Sequence, residues 1–316
     1  MTKAGGFGPL PQLLVKWESE RALHQAFHEE GLSLAACECP DLYVPVGAMM
    51  AVFERAARAV GRRDFGLCVG EKMDLSSFGL WLQYCAGAAT LGQALQRMSA
   101  TAHFHQSGAR IRAEHDGAFV VWRYYAPALN VPKAQHADHL IPPMLRFVRI
   151  FLGPRWRPAW IKLNYPRDTD SEMIEARLPA PVRFGKKALG IAIPAARLSQ
   201  RGPFHRSRPI TLLDVEASEG LPKFAEPLRS IIAIAVLRLM DGKTDIEGTA
   251  SMAKMGVRTL QRCLNQEGLS YRDLLGLVRS ERAKALLRET DLPVTEVAMT
   301  LGCSPASYRH HARCQA

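Results

Sequence analysis

The chain lacks any apolar run long enough to span a bilayer, and its N-terminus lacks a basic segment followed by an apolar stretch. Neither a membrane helix nor a secretory leader is expected, and the chain is placed in the cytoplasm. It also lacks a Cys-x-x-Cys pair. Its cysteines, Cys37, Cys39, Cys68, Cys85, Cys263, Cys303 and Cys314, are scattered and odd in number, which suits reduced thiols and not a disulfide framework. There is no His-Glu-x-x-His, phosphate loop, dinucleotide fingerprint or Gly-x-Ser-x-Gly elbow, so the commonest signatures of enzyme chemistry are missing. What remains for an enzyme is His103-Phe-His105 and His136-Ala-Asp-His139. Residues three apart on a helix share a face and could hold a metal, but histidines beside aromatic and apolar neighbours are more often packed or hydrogen-bonded. Cys37-Glu-Cys39 has no further ligands nearby for a four-ligand zinc site. No metal, cofactor or catalytic residue is expected.

With 316 residues, 47% hydrophobic and 22% charged, the chain is long enough for two domains, each with its own core. The expected division is 1–200, a turn-rich linker at 201–224, and 225–316. The net charge of +11 suggests an anionic partner, but its distribution qualifies that. Residues 146–208 hold 14 Lys and Arg against 4 Asp and Glu, including Arg155, Arg157, Lys162 and Arg183. This excess could steer DNA, hold an anionic effector, or form a solvated surface. Residues 254–288 hold 8 basic against 3 acidic side chains, a local footprint of the kind that nucleic-acid binding needs.

Within that basic region, Thr249-Ala-Ser-Met-Ala-Lys-Met-Gly-Val-Arg-Thr-Leu-Gln-Arg262 reads as helix, turn, helix. Ala250 and Ala253 permit close helix contact, and Gly256 suits both the turn and the N-cap of the second helix. Val257, Leu260 and Leu264 fall on one side of a 3.6-residue period, and Arg258, Gln261, Arg262 and Asn265 on the other. Arginine can pair bidentately with guanine and glutamine with adenine, or either can hold a phosphate. A solvated amphipathic helix would carry the same pattern.

Downstream come Glu267-Gly-Leu-Ser-Tyr-Arg-Asp-Leu-Leu-Gly-Leu-Val-Arg-Ser-Glu-Arg-Ala283, Leu286-Leu287, Pro293-Val-Thr-Glu-Val-Ala298 and Leu301-Gly302. From about residue 225 to the end, this order resembles the DNA-binding domain of the AraC/XylS family of bacterial transcriptional regulators. The resemblance implies two helix-turn-helix motifs joined by a linker helix, here near 271–288, with Leu274, Leu275, Val278 and Leu286 as its apolar stripe. It implies that Arg258, Gln261 and Arg262 read bases, with Thr259 and Asn265 beside them, and that Arg279 and Arg282, basic positions of the linker helix, also contact DNA. The second motif departs from the pattern. Leu301-Gly302 runs directly into Cys303-Ser-Pro-Ala-Ser-Tyr-Arg309, where the family carries a recognition helix before such a signature. Two readings stand: the helix has been deleted, or Ser304 caps a short helix from Pro305 in which Tyr308 is buried and Arg309 or His310 reads DNA.

The N-terminal half is expected to be mainly helical over 10–107, with helices at 18–30, 46–60 and 91–105. A hairpin follows around Asp116-Gly117, then helices at 134–151 and 171–178 and strands at 159–165, 182–184 and 189–193. The fold class is therefore an α+β N-terminal domain, helices plus antiparallel sheet, followed by an all-α helix-turn-helix domain. Asp64-Phe-Gly-Leu-Cys-Val-Gly70, Phe78-Gly-Leu, Thr90-Leu-Gly-Gln-Ala-Leu95 and Pro181-Val-Arg-Phe-Gly185 resemble the non-cupin effector-binding and dimerisation domain of one AraC-type subgroup. That resemblance implies a small-molecule effector and a homodimer, and argues against the jelly-roll domain of the family's namesake. Together these observations predict a sequence-specific transcriptional regulator, carried as an activator, with double-stranded promoter DNA, an unknown effector and RNA polymerase as partners. The alternatives are a dimerising relative that has lost DNA binding and, lower, a metal-dependent enzyme.

Overall fold

The computed structural model describes residues 1–202, 209–218, 227–289 and 292–301, with only the backbone at 281, 284, 285, 288 and 289. The chain divides into two compact units. One comprises Met1–Glu30, Cys37–Asp41 and Pro45–Glu219, and the other Gly31–Ala36, Leu42–Val44 and Gly220–Ala316.

The first unit begins with the short strand β1 (Thr2–Lys3), then helices α1 (Leu10–Trp17), α2 (Glu20–His28), α3 (Val46–Val60), α4 (Phe65–Lys72), α5 (Gly79–Ala86) and α6 (Leu91–Thr101). Their ends follow local chemistry. The side chain of Ser19 accepts from the Ala22 amide to cap α2, that of Thr90 accepts from the Gln93 amide to cap α6, and Gly61, at φ 67°, closes α3. The short strand β2 (Tyr43–Val44) belongs to the second unit.

A hairpin follows, β3 (Arg110–Asp116) and β4 (Phe119–Tyr125), turning at Gly117 with φ 63°. Then come α7 (Ala134–Leu152), β5 (Ile161–Lys162), α8 (Ser171–Arg177), β6 (Val182–Arg183), β7 (Leu189–Pro194) and α9 (Leu212–Ser218). The sheet order is β3-β4-β7-β5-β6. It is antiparallel except where β5 meets β6 in parallel, because the chain returns through α8 as a crossover. The stretch expected as a strand over 159–165 is regular strand at Ile161–Lys162, and its backbone hydrogen bonds run from Ala159 to Tyr165. Within the stretch expected to be linker, α9 is helical and Val215 is buried in the N-terminal core.

Gly66 and Gly70, four residues apart on α4, set the packing of α4 on α7. A Cβ at Gly66 would lie 2.1 Å from the Gln135 carbonyl oxygen, and one at Gly70 2.3 Å from that of His139. Pro143 has no N–H to give the His139 carbonyl, so the carbonyl that Gly70 approaches is one already freed from the helix ladder. Around this contact Gln135 Oε1 accepts from the Gly66 amide at 2.7 Å. Asp138 accepts from Arg63 Nη1 at 2.6 Å and from the Tyr165 hydroxyl at 2.5 Å. Burial still pushes its carboxyl up to about 6.

Of the histidines considered as metal ligands, His136 and His139 sit in this core, while His103 is exposed. His139 stacks on Phe53 at 4.3 Å between ring centroids, and its Nδ1 lies 2.7 Å from the His136 carbonyl. Burial pushes His136 down to about 4 and His139 well below its ordinary value. Cys37 is half-buried, and burial pushes its thiol up to about 12. Lys162 of the central basic segment pairs with Asp116 at 3.0 Å, and Arg183 lies over the Trp160 ring.

In the second unit, α10 (Leu228–Met240), α11 (Ile246–Met252), α12 (Val257–Gln266), α13 (Tyr271–Glu289) and α14 (Val294–Thr300) surround a core of Ile231, Ile232, Ala250, Leu260, Leu264, Leu274, Val278 and Val297. Among the described residues, no helix of either unit is long and apolar enough to cross a membrane.

Candidate nucleic-acid interface

The residues that bring α11 and α12 together are Thr249, Ala250, Leu260 and Leu264, all essentially inaccessible. Each leucine so buried contributes about 1.5–3 kcal/mol. Asp245 caps α11 by accepting from the Gly248 amide at 2.7 Å and pairs with Arg238 of α10. The hydroxyls of Thr249 and Tyr271 lie 2.7 Å apart, and Tyr271 also donates to the Asp245 carbonyl at 3.2 Å. The start of α13 is thereby tied to the start of α11. Ser270 and Asp273 cap α13 reciprocally, the Asp273 amide donating to Ser270 Oγ and the Ser270 amide to Asp273 Oδ2.

The turn differs from expectation in one respect. Gly256 does serve as the N-cap of α12, but its φ is −74° and its ψ 151°, ordinary extended backbone. The left-handed residue is Lys254, at φ 54°. Its position is set by how α11 ends: the Met255 amide returns to the Ala250 carbonyl and the Lys254 amide to that of Ser251, both at 3.0 Å. That closure puts the left-handed conformation two residues before Gly256. At the other end of α12, Gly268 takes φ 70° and the Leu269 amide returns to the Leu264 carbonyl at 3.0 Å. The helix is held at both ends.

Opposite its buried leucines, α12 exposes Arg258, Thr259, Gln261, Arg262 and Asn265. None of these side chains has a hydrogen bond or ion pair with any described residue. Arg258 and Arg262 are four apart and so are neighbours on one helical face, with Gln261 beside them. The expected reading face is therefore assembled as a face, solvated and unpaired.

The linker-helix positions stand differently. Arg279 is half-buried and its Nε donates to the Leu301 carbonyl at 3.2 Å, which satisfies a carbonyl at the end of α14. Arg282 is half-buried and engaged. Leu274, Leu275 and Val278 are buried as expected, and Leu286 packs partly against the same core. Of the second motif, α14 is present; Ser304, Pro305, Tyr308, Arg309 and His310 lie outside the described residues.

Among known proteins, residues 21–201 match the family described as the arabinose-binding domain of AraC transcription regulator, N-terminal, and residues 249–313 match a helix-turn-helix domain. The HTH-type transcriptional regulator VirS of Mycobacterium tuberculosis is 26% identical over 282 residues, covering 84% of this chain and 80% of that protein. The HTH-type transcriptional regulator VqsM of Pseudomonas aeruginosa is 37% identical over 87 residues, 27% of each. A crystal structure of the transcriptional regulator CdpR from Pseudomonas aeruginosa aligns over 94% of each chain at 22% identity with a TM-score of 0.44. The first match covers 181 of 316 residues, more than half of the chain, and these relatives are named as transcriptional regulators. The chain belongs to the AraC family of DNA-binding helix-turn-helix transcriptional regulators.

Proposed function

We propose that this regulator reads promoter DNA through α12, with Arg258, Gln261 and Arg262 at base edges and Thr259 and Asn265 alongside, in response to a small molecule held by the N-terminal unit. The observation that carries the proposal is the unpaired polar face of α12, held rigid by closures at both helix ends. Arg279, whose Nε holds the end of α14, and Arg282 are further DNA contacts from the linker helix. In this reading residues 1–200 bind the effector and form the homodimer, 201–224 connect, and 225–316 bind DNA in the cytoplasm, with RNA polymerase as the partner in activation.

The test is a titration of the full chain against promoter fragments flanking its own gene, at several salt concentrations. A sequence-specific complex in the nanomolar range, several orders of magnitude tighter than on scrambled duplex, is expected. Equal affinity for both duplexes at every salt would reduce the interaction to backbone charge and sink the base-reading assignment.

A further inference from the structure

Inside the N-terminal unit, α5, α6, the β3–β4 hairpin and α7 line a cavity of about 80 Å³. A dry apolar cavity of about 150 Å³ admits benzene, so a cavity of this order holds at most a single aromatic ring. Among the described residues its lining contains no Asp, Glu, Lys or Arg; it is dominated by Phe78, Trp81, Leu140, Met144 and similar side chains. An ionised ligand would find no counter-charge there, and an unpaired buried charge is strongly penalised.

The polar groups of the lining divide into two sets. Some are already satisfied. Tyr124 and Gln106 bond to each other at 2.8 Å, and Trp81 Nε1 donates to Thr101 Oγ1 at 2.8 Å. Two are not: His105 Nδ1 and Trp122 Nε1 are buried with no hydrogen-bond partner. His105 stacks flat on Trp81, 5.1 Å between centroids, and burial holds it neutral by pushing it down to about 3. Trp122 is itself 3% exposed and tilts against Phe147. Buried donors without partners are uncommon in native proteins and ask for an explanation. An apolar cavity with a small number of placed polar atoms is also the usual form of a small-molecule site.

We infer that this cavity takes an uncharged, mainly apolar molecule of about one ring in size, carrying a hydrogen-bond acceptor for Trp122 Nε1, and takes neither a sugar nor a carboxylate. A pentose bears a hydroxyl on nearly every carbon and would leave most of them unpaired here, despite the arabinose in the description of the matching family. The inference rests on the effector reading proposed above and narrows its chemistry.

The experiment uses the full chain and tritium-labelled toluene, a neutral one-ring probe, in equilibrium dialysis. One saturable site per chain is expected, with displacement by acetophenone and by ethylbenzene. Benzoate, which has the skeleton of acetophenone but a carboxylate, and L-arabinose should each displace at least roughly 100-fold more weakly. Trp122→Phe keeps the shape of the lining and removes the donor. It should weaken acetophenone roughly two- to tenfold and leave ethylbenzene unchanged. Leu140→Trp should fill the cavity and abolish probe binding. The absence of a saturable site, displacement by benzoate or L-arabinose as good as by acetophenone, or an equal effect of Trp122→Phe on both neutral ligands would overturn the inference. Promoter titrations run alongside separate it from the reading beneath it. A saturated cavity with unchanged DNA affinity sinks the effector role and leaves the ligand class standing. DNA binding that responds to benzoate or L-arabinose sinks the ligand class and leaves the effector role standing.

Discussion

Replacing Arg262 by alanine removes one guanidinium from the middle of the α12 face. The side chain is exposed and has no partner among the described residues, so its loss opens no cavity and orphans no buried group. Alanine is also the better helix former by a few tenths of a kcal/mol. Folding stability should therefore stay within about 0.5 kcal/mol of the parent, and any change in DNA affinity belongs to the interface. If Arg262 pairs bidentately with a base, the loss is about 1–3 kcal/mol, roughly 5- to 150-fold in affinity. Discrimination should relax at one base pair, with the salt dependence little altered. If it holds a phosphate, affinity falls on every duplex alike and the slope of log K against log salt becomes less negative by about 0.9. Fluorescence anisotropy on promoter and scrambled duplexes at four or more salt concentrations distinguishes the two, with a thermal melt as the folding control. Unchanged affinity on both duplexes across all salts would refute the placement of Arg262 at DNA.

Three other outcomes follow from the geometry. Gly70→Ala sets a methyl 2.3 Å from a backbone carbonyl, so α4 and α7 must separate; a loss of about 1–3 kcal/mol or more is expected in urea unfolding, and a loss below about 0.5 kcal/mol would contradict that close approach. Lys254→Gly relieves a left-handed lysine at φ 54° and should leave stability unchanged or raise it by up to about 1 kcal/mol, whereas Gly256→Ala, with nothing within 4 Å of the new Cβ, should be tolerated. The reverse order of tolerance in melting experiments would move the turn back to Gly256. The third concerns pH. His136 and His139 have folded values depressed below 6.5, so their stabilising contribution is complete above 6.5 and is lost as pH falls toward about 4 for His136. Asp138, raised to about 6, runs the other way and returns stability as pH drops through that value. Between pH 7.5 and 5 the loss is about 2 kcal/mol at His136, with a further loss at His139, against about 1 regained at Asp138, and a urea midpoint that does not fall over that range would refute the buried-neutral assignment.

The helix-turn-helix was legible because its pattern is local. Leu260 and Leu264 declare a buried face at helical spacing, and Arg258, Gln261 and Arg262 fall opposite without reference to the rest of the chain. The 46–60 helix and the Asp116-Gly117 hairpin were legible for the same reason, since a helical period and a turn dipeptide are written within a few residues. Lys254 was not. The left-handed position depends on which carbonyl the end of α11 returns to, and an accommodating glycine two residues later drew the turn toward itself. The histidines were ambiguous because i, i+3 spacing serves a ligand pair and a packed core alike.

From the sequence by itself came the class of the protein, its two-part organisation, its α+β and all-α halves, and the identity of the side chains on the outer face of α12, because each of these rests on composition, period or ordered motifs. Tertiary structure alone decided the rest. It decided that Gly66 and Gly70 are the seats of two α7 carbonyls, that Arg279 holds the end of α14, and that His136 and His139 are neutral core side chains. It also brought His105 and Trp122, seventeen residues apart in the sequence numbering, to one apolar cavity. The physical reason is common to all of them: desolvation and close approach are set by what the distant chain packs against a group, and a residue carries no record of that in its neighbours.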